Sequence, residues 1–220
     1  MKSKSNVKTK NIKTHQRYFV NEKRVPGTTT ILGVLNKPAL MYWAWDLGCQ
    51  GIDYRKYTDE MAKIGTLVHE RIEAHIKGSE VNFDDFTKTQ ITLSDVGFSK
   101  FLEWEQENKP IYIESELQLS SDKYFYGGTI DLYAKIGNKF VLIDFKTSNN
   151  IYDDHFCQVS AYANLLREND LQVDDIMILR IGRDETEGFE VRSVVNEKLY
   201  FEVFKSCLVI YEAKKKLKWR

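Results

Sequence analysis

Two aspartates and a lysine are the residues of this chain best placed to do chemistry together. Asp131 closes Gly127-Gly128-Thr129-Ile130-Asp131, and Asp144 opens Asp144-Phe145-Lys146. Between them, Gly137-Asn138 reads as a two-residue turn joining a strand over Thr129–Ile136 to one over Lys139–Lys146. In that register Ile136 faces Lys139 and Asp131 falls opposite Asp144. Lys146 shares the face of Asp144, because side chains alternate along a strand. Facing carboxylates have Cβ atoms about 4.5–5.5 Å apart, and like charges so placed are destabilising. A divalent cation between them is the simplest relief, and oxygen ligands suit Mg²⁺ or Mn²⁺. A neighbouring lysine can then orient a nucleophile or neutralise charge developing on a phosphoryl oxygen. The alternative is a charged, solvent-facing hairpin edge, for which Asp-x-Lys alone is common. A longer turn or a bulge would also shift the register.

The elements that must carry these residues follow from periodicity. Tyr18 to Val25 reads as a short strand ending at Pro26-Gly27, and Thr28-Thr29-Thr30 offers an N-cap for a short helix through Ile31, Leu32 and Leu35. Pro38 opens a second helix with Leu40, Met41, Trp43 and Trp45, an aromatic cluster that reads as core rather than as a base-stacking platform. A stronger helix covers about 59–77, with Gly65, Ile72 and Ile76 on one stripe and Met61 and Val68 beside it. Another is predicted from Ser94 to about Asn108. Ile111, Ile113, Leu117 and Leu119 then alternate with Tyr112, Glu114, Glu116 and Gln118 as a half-buried strand leading into the hairpin. Beyond it come a helix capped by Asp153 or Asp154 and reaching Arg167, strands over 176–181 and 189–194, and an amphipathic helix over about 197–217. There is no internal repeat, and the mixture predicts a single α/β domain over 19–220. A flexible basic arm over 1–18 precedes it, with Lys2, Lys4, Lys8, Lys10, Lys13 and Arg17.

Composition narrows the classes. Hydrophobic residues at 42% and aromatics at 13% can fill a core, which excludes global disorder. With 32 basic and 32 acidic residues the net charge is zero, so only the placement of charge speaks for nucleic acid. The basic ends, Lys214, Lys215, Lys216, Lys218 and Arg220 included, can track phosphates or stand as solvated termini. The apolar runs are too short to cross a bilayer, and the N-terminus has no secretory h-region. Cys49, Cys157 and Cys207 lack metal-finger spacing and point to a reducing compartment. The expected location is therefore the cytoplasm.

Further candidates surround the hairpin. His69 lies at the edge of its helix's apolar stripe, as a boundary residue or a ligand. Glu73, one turn later, can orient the ring or face water. Glu114 and Glu116 share a face of the preceding strand, within reach of a metal or an attacking water, or simply exposed. Gln158 and Tyr162, four apart on the following helix, point the same way. Each can hydrogen-bond a phosphate or a flipped-out base, and Tyr can stack. A helix burying its tyrosine in the core has the same spacing. Gly127-Gly128 allows another backbone to approach closely or marks a bulge.

Taken in order, Gly-Thr-Leu-Val-His, an acidic strand, Gly-Gly-Thr-Ile-Asp, Asp-Phe-Lys and Gln-Val-Ser-Ala-Tyr resemble the PD-(D/E)xK nuclease superfamily, and within it the RecB-like exonuclease branch. The resemblance spans roughly residues 28–195, with its specific part in His69 and residues 127–162. Thr-Thr-Ile-Leu, Lys-Pro-Ala-Leu and Trp-Ala are similar to bacteriophage members, which implies the cytoplasm of a bacterial or phage-infected host cell. The resemblance implies an α/β, restriction-endonuclease-like core, a central mixed β-sheet flanked by helices. It implies His69, Asp131 and Asp144 as ligands of Mg²⁺ or Mn²⁺ together with the Phe145 carbonyl, and Lys146 as the catalytic lysine. Gln158 and Tyr162 would contact nucleic acid, with Glu116, Glu114 and Glu73 as accessory acids. Some members carry a four-cysteine iron–sulfur cluster, which three scattered cysteines do not lead one to expect here. The implied activity is a metal-dependent DNA exonuclease of recombination, repair or replication. An endonuclease of the same superfamily, or a non-catalytic nucleic-acid-binding module, remains the alternative. DNA is the expected partner. Without a Gly-x-x-x-x-Gly-Lys-[Ser/Thr] loop, strand separation would come from a helicase or recombination protein in trans. No membrane partner is expected, and oligomeric state stays open.

Overall fold

The computed structural model describes residues 16–218, apart from residue 36. Most of the expected basic arm therefore lies outside the described residues. Its end does not: Gln16 and the Tyr18 hydroxyl both reach Thr129 Oγ1, the latter at 2.8 Å.

In chain order the elements are β1 (Tyr18–Val20), β2 (Lys23–Val25), α1 (Thr28–Leu32), α2 (Pro38–Cys49), α3 (Tyr54–Lys77), α4 (Lys88–Asn108), β3 (Ile111–Ser121), β4 (Tyr126–Ile136), β5 (Lys139–Lys146), α5 (Asp153–Glu168), β6 (Asp175–Ile181), β7 (Phe189–Ser193) and α6 (Glu197–Lys216). The segment expected as one strand from Tyr18 is thus a β1–β2 hairpin. A five-stranded sheet runs β3-β4-β5-β6-β7, antiparallel except for the parallel pair β5–β6. Parallel neighbours need a long crossover, and α5 supplies it. As the central strand, β5 buries Val141, Leu142, Ile143 and Phe145 on both faces. Leu142, Ile176 and Ile178 pack with α1, α5 and α6 through Ile31, Val159, Leu166 and Phe204. On the other side Ile143, Phe145 and Leu179 meet Val68 and Ile72 of α3 and Phe101 and Trp104 of α4.

Helix starts depart from the periodicity-based reading because capping, not the apolar stripe, sets them. Asp53 accepts from the Arg55 and Lys56 amides and starts α3 before its stripe begins. Thr87 and Gln90 form a capping box that starts α4 ahead of Ser94. Thr28 is not a cap: its hydroxyl donates to the Gly127 carbonyl at 3.0 Å, while Gly27 takes the cap position of α1. Asp153 and Asp154 lie inside the first turn of α5, where they suit the helix dipole, and His155 Nδ1 accepts the Tyr152 amide.

Two expectations about burial are corrected. On α2, Leu40, Met41 and Trp45 are more than half exposed, with Trp45 at 67%, and of the expected cluster only Trp43 is half-buried, its ring edge-on to Tyr57 of α3. Ile111 and Ile113 also face solvent, while Tyr112 packs inward. The ladder shifts between Tyr112 and Glu114, and this bulge reverses the strand's alternation.

Candidate active site

The β4–β5 register matches the turn-based expectation through Ile136↔Lys139 to Leu132↔Ile143, where the paired ladder ends. Asp131 and Asp144 occupy the next facing positions, at the fork where the strands part. Both β3 and β4 turn over at this level. Ile130 belongs to the α5 side and Leu132 to the α3–α4 side, and Glu116, across from Asp131, adopts a positive φ of 54°. Glu116, Asp131 and Asp144 therefore form one row across three strands.

Each remaining residue reaches the fork for a local reason. Gly65 lets α3 approach the end of β5, because a Cβ there would lie 2.3 Å from Thr147 Oγ1. One turn later His69 sets its Nδ1 3.9 Å from Asp131 Oδ2, with its ring edge-on to Phe145. Gly128 serves the opposite face, where an added Cβ would lie 2.4 Å from the Tyr162 ring. Gly127 does the same for Tyr18. The glycines preceding Asp131 are thus seats for two aromatic rings.

The carboxylates have unlike partners. Asp131 Oδ2 accepts the Phe145 amide at 2.8 Å. Asp144 is 1% exposed; its Oδ2 lies 2.5 Å from Lys146 Nζ, an ion pair without well-directed hydrogen-bond geometry. Burial raises the Asp144 pKa, Lys146 opposes the rise, and Asp131 adds to it. For Lys146, burial alone would lower the pKa. The carboxylates of Asp144 and Asp131 outweigh it and hold the ammonium charged. The like-charge repulsion inferred from the hairpin is thus relieved here by Lys146.

Gln158 donates through Nε2 to the Tyr162 hydroxyl at 2.9 Å, with Asp144 Oδ1 at 3.5 Å. Tyr162 itself is buried at 5% exposure, so its ring presents no face to a base. Burial raises its pKa well above the ordinary value, and Asp144 and Asp131 add to the rise. Of the readings the spacing allowed, the buried tyrosine is the one found, with its hydroxyl accepting from Gln158. Of the accessory acids, Glu116 joins the row and adds to the rise that burial gives the pKa of the half-buried Tyr18. Glu114 lies exposed across from Tyr133, and Glu73 is tied to Lys77 at 2.8 Å.

Oxygen donors from Asp131 and Asp144 with an imidazole from His69 fit a divalent cation, and Asp144 Oδ2, buried without a directed hydrogen bond, is held by the Lys146 charge alone. As placed, no three His, Cys, Asp or Glu side chains among the described residues converge into a metal cage.

Sequence reasoning missed His155. It lies near Lys146, Asp154 and Lys37, and burial together with the Lys146 charge lowers its pKa to about 4. Lys37 Nζ reaches Asp154 at 2.6 Å and ties the start of α2 to the same corner. The only sequence signal was a histidine in the third helical position of α5, where Glu or Gln would ordinarily reach back.

Among solved structures, the chain is similar to a candidate exonuclease from Eubacterium rectale, at 12% identity and a TM-score of 0.54 over 71% of this chain and 69% of that one. It is also similar to LHK-Exo in complex with dAMP, at 10% identity and a TM-score of 0.41 over 72% of this chain and 86% of that one. No family model and no curated protein matches the sequence. The first of these likenesses establishes the fold class: an α/β architecture with a five-stranded mixed sheet flanked by helices, consistent with a restriction-endonuclease-like core. No helix among the described residues is long and apolar enough to cross a membrane.

Proposed function

We propose that this chain is a divalent-metal-dependent nuclease, and within that class a DNA exonuclease. The observation that carries the reading is convergence. Residues from α3, β3, β4, β5 and α5 meet where β4 and β5 part, with a buried acid beside a charged lysine. Perturbed titratable groups gathered in this way mark functional sites.

A cation held by Asp131, Asp144 and His69 would supply Lewis-acid polarisation of a phosphoryl oxygen and a lowered pKa for water. The chain's own residues supply the rest. Lys146, held protonated, donates to the attacking water or to the phosphoryl oxygen on which charge develops. Gln158, fixed by the Tyr162 hydroxyl, offers a carboxamide beside Asp144 that can hold the scissile phosphate in line. Glu116, in the same row, can accept the proton that the attacking water gives up.

Digestion of 5′- and 3′-end-labelled single- and double-stranded DNA with Mg²⁺ or Mn²⁺ tests the reading, with circular single-stranded DNA in parallel. Release of nucleotides from linear DNA with the circle left intact is expected. A nicked circle would assign an endonuclease, and binding without metal-dependent cleavage of any DNA would assign a non-catalytic module.

A further inference from the structure

Two basic segments from opposite ends of the sequence meet beside the candidate active site. Arg24 of β2 and Lys215 of α6 line a cleft of about 520 Å³ whose inner end is formed by Gln16 and Tyr18. The same two cations line an adjoining groove of about 670 Å³, to which Lys23 and Lys216 are added. Among the lining residues the only acid is Glu212, 3.9 Å from Lys215. In a chain of zero net charge this is a marked separation of charge. The floor is apolar, with Val25, Phe125 and Leu208, so cations stand over a surface that deoxyribose or ribose can pack against. The inner end leads to the chemistry: Tyr18 and Gln16 both hold Thr129, two residues before Asp131.

We infer that the cleft between the β1–β2 hairpin and the C-terminal end of α6 carries the sugar–phosphate backbone of a nucleic-acid strand to or from the carboxylate row. The direction of that path rests on the nuclease reading; the binding itself does not. Lysine and arginine side chains along such a track act by displacing counterions from phosphates, which makes binding salt-dependent with a slope proportional to the contacts made.

The test uses the whole chain in EDTA with fluorescein-labelled single-stranded DNA, duplex DNA and single-stranded RNA of one sequence. Affinity is measured across salt concentrations for wild type and for Arg24→Ala/Lys215→Ala/Lys216→Ala. The log–log slope is expected to fall by about 0.7 per lost contact on single strands and about 0.9 on duplex, roughly two to three in all. Divided by its own slope per contact, each fall gives a number of lost contacts, and the nucleic acid with the larger number identifies the strand type. A control removing three exposed lysines elsewhere, Lys88→Ala/Lys109→Ala/Lys198→Ala, should keep the wild-type slope. Mn²⁺-dependent hydrolysis of bis(p-nitrophenyl) phosphate, too small to reach the cleft, should be the same in wild type and the cleft variant. An unchanged slope in the cleft variant overturns the inference, and so does an equal fall in the control. No hydrolysis of the small ester by any of the proteins would count against the nuclease reading and leave the slope to decide the cleft.

Discussion

Asp144 sits in the sheet with almost no contact with water, so its negative charge depends on the ammonium of Lys146. Breaking a buried pair from one side leaves an uncompensated charge and costs about 3–5 kcal/mol. Lys146→Ala should therefore do two things that a purely catalytic lysine would not do together. Cleavage should fall by at least about a hundredfold, the scale of losing one transition-state donor. Stability in EDTA should fall as well, most at alkaline pH, because without the lysine Asp144 is relieved only by protonation. Urea unfolding in EDTA, at two pH values, and end-labelled cleavage check both; normal cleavage would remove Lys146 from the mechanism. His155 gives the second prediction at this scale. Its folded pKa of about 4 lies below the ordinary value of 6.5, so the unfolded chain takes up the proton first as pH falls. The stability it contributes is complete above pH 6.5 and is lost between about 6.5 and 4, at most about 3 kcal/mol for a ring that is only partly buried. His155→Gln keeps an acceptor for the Tyr152 amide but does not titrate. Its melting temperature should fall less than that of wild type over that window, and parallel curves would place the loss elsewhere.

Helix α3 and strand β5 meet through a missing side chain. In Gly65→Ala the new Cβ would face Thr147 Oγ1 at 2.3 Å, and overpacking of this kind costs about 1–3 kcal/mol. Against it stands the gain of about 1 kcal/mol from alanine's helix propensity. Since His69 lies one turn further on, the variant should lose metal affinity even where the net change in stability is small. Adding Thr147→Ala removes the offending oxygen and should return part of that affinity; Mn²⁺ titration of the single and double variants decides. On α2 the opposite holds. Trp45→Ala removes an exposed ring and should change stability by less than about 0.5 kcal/mol, which a denaturant titration would contradict if the ring were core. These cases mark what was legible in the residues. The β4–β5 hairpin was, because a two-residue turn and a period of two fix the register between them. Asp131, Asp144 and Lys146 follow once that register is known, whereas the helical His69 and Gln158 were joined to them only by the family resemblance. The fate of the α2 aromatics was not, since a tryptophan stripe has the same spacing buried or exposed. Nor was the burial of Tyr162, which depends on Gly128, a contact made only when α5 folds back on the sheet.

At the scale of the molecule, the fork between β4 and β5 draws on both layers: His69 comes from the α3–α4 side and Gln158 from the α5 side. A cation bound there would tie elements packed on opposite faces of one sheet, so its binding energy should appear as stability of the native state rather than as local order. At a hundredfold excess over its dissociation constant a ligand adds about 2.7 kcal/mol, which for a chain of this size corresponds to about 5–10 °C in melting temperature. Asp131→Asn separates this from general salt effects. Without metal the substitution removes one of two neighbouring negative charges and keeps an oxygen for the Phe145 amide, so it should be neutral or stabilising. With metal it removes a ligand, and the rise should shrink to a small fraction of the wild-type value. Melting curves of both proteins, in EDTA and over a series of Mg²⁺ and Mn²⁺ concentrations at fixed ionic strength, read the difference directly. Equal shifts in the two proteins would mean that the cation binds away from the row formed by Glu116, Asp131 and Asp144, and the metal-dependent reading of this site would fall with them.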